Sequence, residues 1–296
     1  MRLHAYLLAA DPNYLAASLS SYYDHVERII VSYDRSHRSW TGTPLPVDEC
    51  LEIVKEIDVE GRCELVPGDF WRPGADPLDS DTHQRRVALA VASEGADWVL
   101  QLDTDEVMVS PPAFLGALGR ADAAGATALD YPSRWLYARV GDAPSRSGSR
   151  TGRYLEMSTA WWRPVAGYPG PLAVHAGTRL DLARQAPSAL RYRVDVRPWN
   201  TDPAQGRGSL VHEVVGLDDA VVHYSWVRSR DAMRRKFGWS GHTGEYSHPL
   251  VYRRWAWRSA HPWFAAATSP LRRHPERFRV VRLPEPPGRG PEGMRP

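Results

Sequence analysis

Two carboxylates one residue apart stand directly behind an apolar run in Trp98-Val-Leu-Gln-Leu-Asp103-Thr-Asp105-Glu106. Side chains so spaced can turn into one cleft and offer hard oxygen ligands to Mg²⁺ or Mn²⁺. A cation held there would bridge the diphosphate of a nucleotide-sugar and stabilise the charge that builds as the glycosidic bond breaks. A lone Asp-x-Asp is more often a solvated acidic turn. Behind so apolar a strand that account loses ground, because clustered carboxylates repel one another and a bound cation would relieve the repulsion.

The elements around this motif alternate. Residues 3–9 read as a strand, and Asp11-Pro12 as the N-cap and first position of a helix through Tyr22. The β-branched and aromatic stretch from Val26 to Tyr33 predicts a second strand ending at Asp34. Val47, Leu51, Val54 and Ile57 have helical spacing, and Arg62 to Pro67 reads as a third strand. Ser80 is the expected cap of a helix that Gly95 ends, Asp97 to Leu102 the fourth strand, Ser110-Pro111 a helix start and Thr127 to Tyr131 a further strand. This order predicts an α/β fold, a three-layer α/β/α sandwich with a largely parallel, mixed central sheet. Ligands of such sheets bind beyond the carboxyl ends of the strands, so Asp34 and Asp103 are expected on one rim. From Pro132 to about Gly216 the alternation fails in a stretch rich in Trp, Tyr, Arg, Pro and Gly. Ala220 to Trp226 returns to strand character, and Ser229 caps a helix through about Phe237.

The chain has 296 residues, 43% of them hydrophobic and 24% charged, with a formal charge of +2. That balance is too mild for a nucleic-acid binder. Its cations are nearly all Arg, since Lys occurs only at Lys55 and Lys236. Two cysteines, Cys50 and Cys63, build no disulfide framework and read as reduced thiols in a cytoplasmic protein. Neither a signal peptide nor an apolar run of membrane-spanning length is apparent.

The Asp103-Thr-Asp105-Glu106 block resembles the Asp-x-Asp-Glu motif of A-type-fold glycosyltransferases, particularly the family 2-like and family 92-like bacterial enzymes. A second block, His223-Tyr-Ser-Trp-Val-Arg-Ser-Arg-Asp-Ala-Met-Arg-Arg-Lys236-Phe-Gly238, resembles the His-Tyr, Ser and Lys-x-x-Gly run near the end of their catalytic domains, with one residue rather than two between Lys236 and Gly238. The resemblance implies a nucleotide-sugar donor, with UDP expected, a carbohydrate or glycolipid acceptor, and Mn²⁺ or Mg²⁺ held by Asp103 and Asp105 with His223 as third ligand. It also implies that Asp34 meets the base or ribose, that Arg85 or Arg86 lies near the nucleotide, and that Lys236 contacts the diphosphate. Asp202, in Trp199-Asn-Thr-Asp-Pro, is the first choice for the general base, with Asp181 and Glu213 left open. Each has a plainer account: Asp34 and Asp202 suit turns, His223 the core and Lys236 a solvated helix face.

The implied organisation is a catalytic domain over 1–245, divided at 131 into nucleotide and acceptor halves, an aromatic and basic extension over 246–283, and a disordered Pro/Gly tail over 284–296. Interleaved Arg and Trp from Trp255 to Arg273 suit a peripheral bilayer contact. Packing against the sheet is the favoured account, since Pro262 and Pro270 interrupt any long helix. Two other functions compete. A haloacid-dehalogenase-type phosphatase also begins its nucleophile motif with a strand and Asp-x-Asp, although normally after the first strand of the core. A non-catalytic carbohydrate-binding protein would use the 12 Trp and 13 Tyr for stacking.

Overall fold

Successive side chains of a strand point to opposite faces, and the first strand, β1 (Leu3–Leu8), is buried on both. Leu3, Ala5 and Leu7 enter one core layer with α1 (Leu15–Ser20), α2 (Val47–Ile57) and α4 (Pro111–Ala123). Tyr6 and Leu8 enter another with α3 (Pro77–Ala92). Helices on both faces and near-continuous apolar strands are what a covered parallel sheet requires. The molecule is thus a mixed α/β sandwich, seen in a computed structural model that describes residues 1–143, 151–158, 167–201, 209–241, 244, 248–269 and 277–286.

Among the described residues the larger sheet has eight strands. β1 pairs in parallel with β2 (Arg28–Asp34) and β4 (Trp98–Gln101), and β2 pairs in parallel with β3 (Cys63–Gly68). Beyond β4 lie β9 (Ala173–His175), antiparallel to both neighbours, then β6 (Ala128–Asp130), β10 (Arg191–Asp195) and β11 (Glu213–Val214). A smaller sheet runs β13 (Arg277–Pro284), β8 (Thr151–Ser158), β7 (Ser133–Ala143), β12 (Val221–His223) and β5 (Glu106–Val107). Among the described strands the chain passes between the sheets five times, two of them by short links, from β4 to β5 through Leu102–Asp105 and from β6 to β7 through Tyr131-Pro132. The acidic motif is therefore the hinge where one sheet hands over to the other.

Several boundaries differ from the sequence reading. α3 starts a turn before Ser80, with Asp76 Oδ1 accepting from Leu78 N at 2.7 Å and Pro77 at the first helical position, the favoured Pro placement. Asp11 does not cap α1, which begins at Leu15; its Oδ1 accepts from Asn13 N at 3.1 Å. Part of the stretch read as irregular is the long β7–β8 hairpin. On one face, Leu136 and Tyr154 pack with Tyr14 and Val222. On the other, Tyr137 and Leu155 pack with Trp255 and Phe278, which come from α6 (Pro249–Ala260) and β13. Residue 284 closes β13 rather than opening a tail, and residues 287–296 lie outside those described. Among the described residues no helix is long and apolar enough to cross a membrane.

Candidate active site

The turn after β4 is held from several sides. Glu106 N donates to Asp103 O at 3.0 Å, Ser18 Oγ of α1 donates to the same carbonyl at 3.0 Å, and Tyr224 N donates to Asp105 O at 2.8 Å. Asp103 N donates to Glu106 Oε2 at 3.0 Å. Glu106 is fully buried and grips Arg184 bidentately, Oε2 to Nη1 at 2.6 Å and Oε1 to Nη2 at 2.7 Å. This is the planar fork that Arg and carboxylate make best. The β5–β12 register sets His223 opposite Glu106 and brings its ring to the same turn.

Asp105 is the hub. Its Oδ1 lies 3.1 Å from His223 Nε2, and its Oδ2 accepts from Arg228 Nη2 and Lys236 Nζ, both at 2.7 Å. Lys236, on α5 (Arg230–Trp239), also donates to Ser225 Oγ at 2.7 Å, while Arg228 meets Asp11 Oδ2 at 2.5 Å. Burial pushes the Asp105 carboxyl up, but Lys236, His223 and Arg228 outweigh it and hold the group well below the usual carboxylate range. Burial lowers the Lys236 ammonium, and the Arg228 charge lowers it further, against the pull of Asp105. Asp103 faces the cavity with 30% of its side chain accessible; its Oδ1 meets Arg85 Nη2 at 2.9 Å. Burial acts to raise it, yet Arg85 and Arg184 keep it below its ordinary value. Arg85 in turn is braced by Asp81 one turn earlier, at 2.8 Å.

Four of the sequence candidates, Arg85, Asp103, Asp105 and Lys236, thus join His223 around one cavity of about 350 Å³, within the range of small-ligand sites. Its far wall is aromatic. Trp135 stands edge-on to His223 at 5.0 Å, and Tyr137 stacks on Trp226 at 5.6 Å. Trp40 and Trp239 close the side toward α5.

Asp34 stands apart from the cluster. Its Oδ1 accepts from Ser36 N and Arg38 N, and its Oδ2 from Phe70 N and Trp71 N, so it ties two loops together beside a small adjoining cleft. Arg86 turns away to Leu180 O at 2.6 Å. Asp181 pairs with Arg179 at 3.4 Å and Glu213 with Arg120, both off the cavity. Asp202 lies outside the described residues. Sequence reasoning missed Arg184, Arg228, Asp11 and Asp81 as members of the cluster. Asp81 was findable, four residues before Arg85 on one helix, and Arg228 sat unread within the second motif.

The residues fit a divalent cation as an open edge rather than a closed cage. Among the described residues no group of three His, Cys, Asp or Glu side chains is arranged to hold an ion. Two ligands at Mg²⁺–oxygen distances of about 2.1 Å in adjacent octahedral positions lie about 3 Å apart, matching the 3.1 Å between Asp105 Oδ1 and His223 Nε2. Among the described residues His223 Nδ1 is buried without a hydrogen-bond partner, 3.7 Å from Glu106 Oε1. The ionised Asp105 carboxylate can only accept, so without a cation the contact is a hydrogen bond donated by His223 Nε2. A divalent cation at this edge would take the place of that proton, with the ring proton then on Nδ1.

No family model matches this sequence, and no curated protein matches it. Among solved structures, the chain is similar to 4-diphosphocytidyl-2C-methyl-D-erythritol synthase from Anaerococcus prevotii, at 13% identity and a TM-score of 0.33, over 59% of this chain and 70% of that one. It is also similar to mannose-1-phosphate geranyltransferase from Thermus thermophilus, at 13% identity and a TM-score of 0.28, over 51% of this chain and 49% of that one. Likenesses of this extent assign neither a family nor an activity.

Proposed function

We propose that the chain is a metal-assisted glycosyltransferase that moves a sugar from a nucleotide-sugar, a UDP-sugar first, to a carbohydrate or glycolipid hydroxyl. The observation that carries the reading is the Asp105–His223 edge set among fixed cations at the junction of the sheets. Leaving His223 aside, Asp11, Asp81, Asp103, Asp105 and Glu106 face Arg85, Arg184, Arg228 and Lys236, one formal negative charge in excess. A divalent cation would turn that into one positive charge in excess, the sign a diphosphate needs. When bound, Mn²⁺ or Mg²⁺ supplies Lewis-acid stabilisation of the charge on the departing nucleoside diphosphate.

The chain's own groups do the rest in this reading. Asp105 Oδ1 and His223 Nε2 would hold the cation, with Asp103 beside them as the second carboxylate of the motif. Lys236 and Arg85, which both line the cavity, would offer donors to phosphate oxygens. The wall of Trp135, Tyr137 and Trp226 excludes water and presents flat apolar faces to the pyranose rings. Asp202 keeps the general-base role as part of the proposal.

His223→Ala tests the central claim, because it removes one ligand and leaves every ion pair of Asp105 to Arg228 and Lys236. Mn²⁺ affinity, titrated with UDP present, is expected to fall by about ten- to a hundredfold. Unchanged affinity would remove the metal edge from the account. The phosphatase reading makes a different demand, an aspartyl-phosphate on Asp103. A stable adduct with beryllofluoride would support it and count against glycosyl transfer.

A further inference from the structure

We infer that the outward face of the two C-terminal helices docks on an anionic lipid surface. α6 is followed directly by α7 (Pro262–Thr268), the break coming at His261-Pro262. The inward side of this pair is ordinary core: Trp255 is 2% and Ala265 0% exposed, and both pack with Tyr137 and Phe278 of the smaller sheet. Arg258 is buried as well, its guanidinium 4.8 Å from the centre of the Phe278 ring. The helices are therefore fixed to the body of the protein, and whatever they carry outward is presented on a rigid frame.

What they carry outward is not what a solvated face carries. Leu250, Arg253, Arg254, Trp257, Ala260, His261 and Phe264 are all exposed, and they recur at the three- and four-residue spacing of one helix face. A face turned to water is normally charged and polar. Here Leu250 is 50%, Trp257 45%, Trp263 58% and Phe264 56% exposed. Trp257 and Phe264 meet edge to face at 5.5 Å across the break between the helices, so their rings form one patch. The exposed charges are of one sign: Arg253 and Arg254 stand on this face, and residues 249–268 contain no Asp or Glu.

Apolar rings with Arg beside them, on helices whose own sequence carries no carboxylate, match the boundary of an anionic bilayer. The indole and phenyl groups reach headgroup depth while the guanidiniums meet lipid phosphates. An acidic protein partner would satisfy the Arg residues but offers no reason for three exposed aromatic rings at the break between the helices. The inference does not rest on the proposed transfer reaction, and failure here would leave that reading as it stands.

The test is cosedimentation of the full chain with vesicles of phosphatidylglycerol and phosphatidylcholine, beside vesicles of phosphatidylcholine alone. The protein should pellet with the anionic vesicles at low salt and stay in solution with the neutral ones. Raising salt should release it, since the screening length falls from about 30 Å at 0.01 M to about 10 Å at 0.1 M. Trp263→Ser with Phe264→Ser, and separately Arg253→Glu with Arg254→Glu, should each lower the bound fraction about tenfold. All four side chains are exposed, so circular dichroism and melting temperature should not move. Wild-type protein left in the supernatant with anionic vesicles at low salt overturns the inference. So does an aromatic double variant that pellets undiminished. A concentration-dependent dimer mass that the aromatic double variant abolishes would also overturn it, by making the patch a face between copies.

Discussion

Asp105 bears on both ligand binding and folding, and its surroundings set the terms of any substitution. A rim carboxylate that served only a cation could be replaced without cost to the fold. This one is 6% exposed and bonded to His223, Arg228 and Lys236. Asp105→Asn leaves buried Arg228 and half-buried Lys236 facing a neutral amide, and breaking a buried pair costs about 3–5 kcal/mol. A lower denaturant midpoint at pH 7 is therefore expected, besides lost metal binding. The pH dependence follows from the depressed carboxyl. A group ionised more readily in the folded state stabilises it fully above the unfolded carboxylate value of about 3.9, and the contribution fades as pH falls below that. The gap between Asp105→Asn and wild type should be widest at neutral pH and shrink in acid. A gap constant from pH 7 to pH 3 would show that the carboxylate's charge contributes nothing.

Lys236 raises a second question at the same scale, since its ammonium already occupies the Asp105 Oδ2 atom. It stands where positive charge is wanted and competes with a divalent cation for the same carboxylate. Lys236→Met keeps the length and apolar stem, and Asp105 retains Arg228 and His223. The expected outcome is a split: Mn²⁺ alone binds severalfold more tightly, while UDP in saturating Mn²⁺ binds more weakly. Calorimetric titration of each ligand reads both. Movement of the two affinities in the same direction would argue that Lys236 only shapes the pocket.

At the scale of elements, the hinge between the sheets depends on a loop with no regular structure. Arg184 lies between β9 and β10, is 2% exposed, and locks Glu106 while donating to Gln101 O at 2.6 Å. Gly170 leaves it room: at φ +150°, a Cβ there would come within 2.6 Å of Arg184 Cγ and 3.1 Å of its carbonyl oxygen. Arg184→Met strands a buried carboxylate and should cost about 3–5 kcal/mol. The double variant with Glu106→Met removes both charges and should recover much of that stability. Its turn, however, has lost the bond from Asp103 N to Glu106, so UDP with Mn²⁺ should still bind poorly. Full recovery of binding in the double variant would show that the clamp does not position the turn.

The same elements show what a sequence can and cannot disclose. α2 was legible from its period alone, with Val47, Cys50 and Val54 buried along one face, and the covered strand Trp98–Gln101 declared itself by an apolar run that only Gln101 interrupts. β7 was not legible. It is apolar on both faces where Leu136, Tyr137 and Ala138 are buried in succession, and bulges between Leu136 and Ala138 and between Arg139 and Gly141 break its period of two. The acidic motif announced the site, and the His223 and Lys236 positions came from a resemblance to known enzymes. Arg184 carried no local signal, because its role depends on a loop folding back over β4.

On the scale of the whole molecule, the cavity lies where two sheets meet. Leu8 and Asp103 approach it from the larger sheet, Trp135 and His223 from the smaller. A ligand seated there touches both sheets at once, so its binding energy should appear as stability of the entire fold. Binding to the folded state alone adds RT ln(1 + [L]/Kd), about 2.7 kcal/mol at a hundredfold excess over Kd. In a chain of this size each kcal/mol raises Tm by roughly 2–4 °C. UDP with Mn²⁺ at such an excess should therefore raise the melting temperature by about 5 °C or more. Either component alone should do much less, since the cation lacks its phosphate ligands and the diphosphate meets a cluster still negative by one charge. A panel of nucleoside diphosphates run with and without Mn²⁺ identifies the base as well. If none of them shifts the transition in Mn²⁺, nucleotide-sugar chemistry at this junction is excluded, whatever the arrangement of Asp105 and His223.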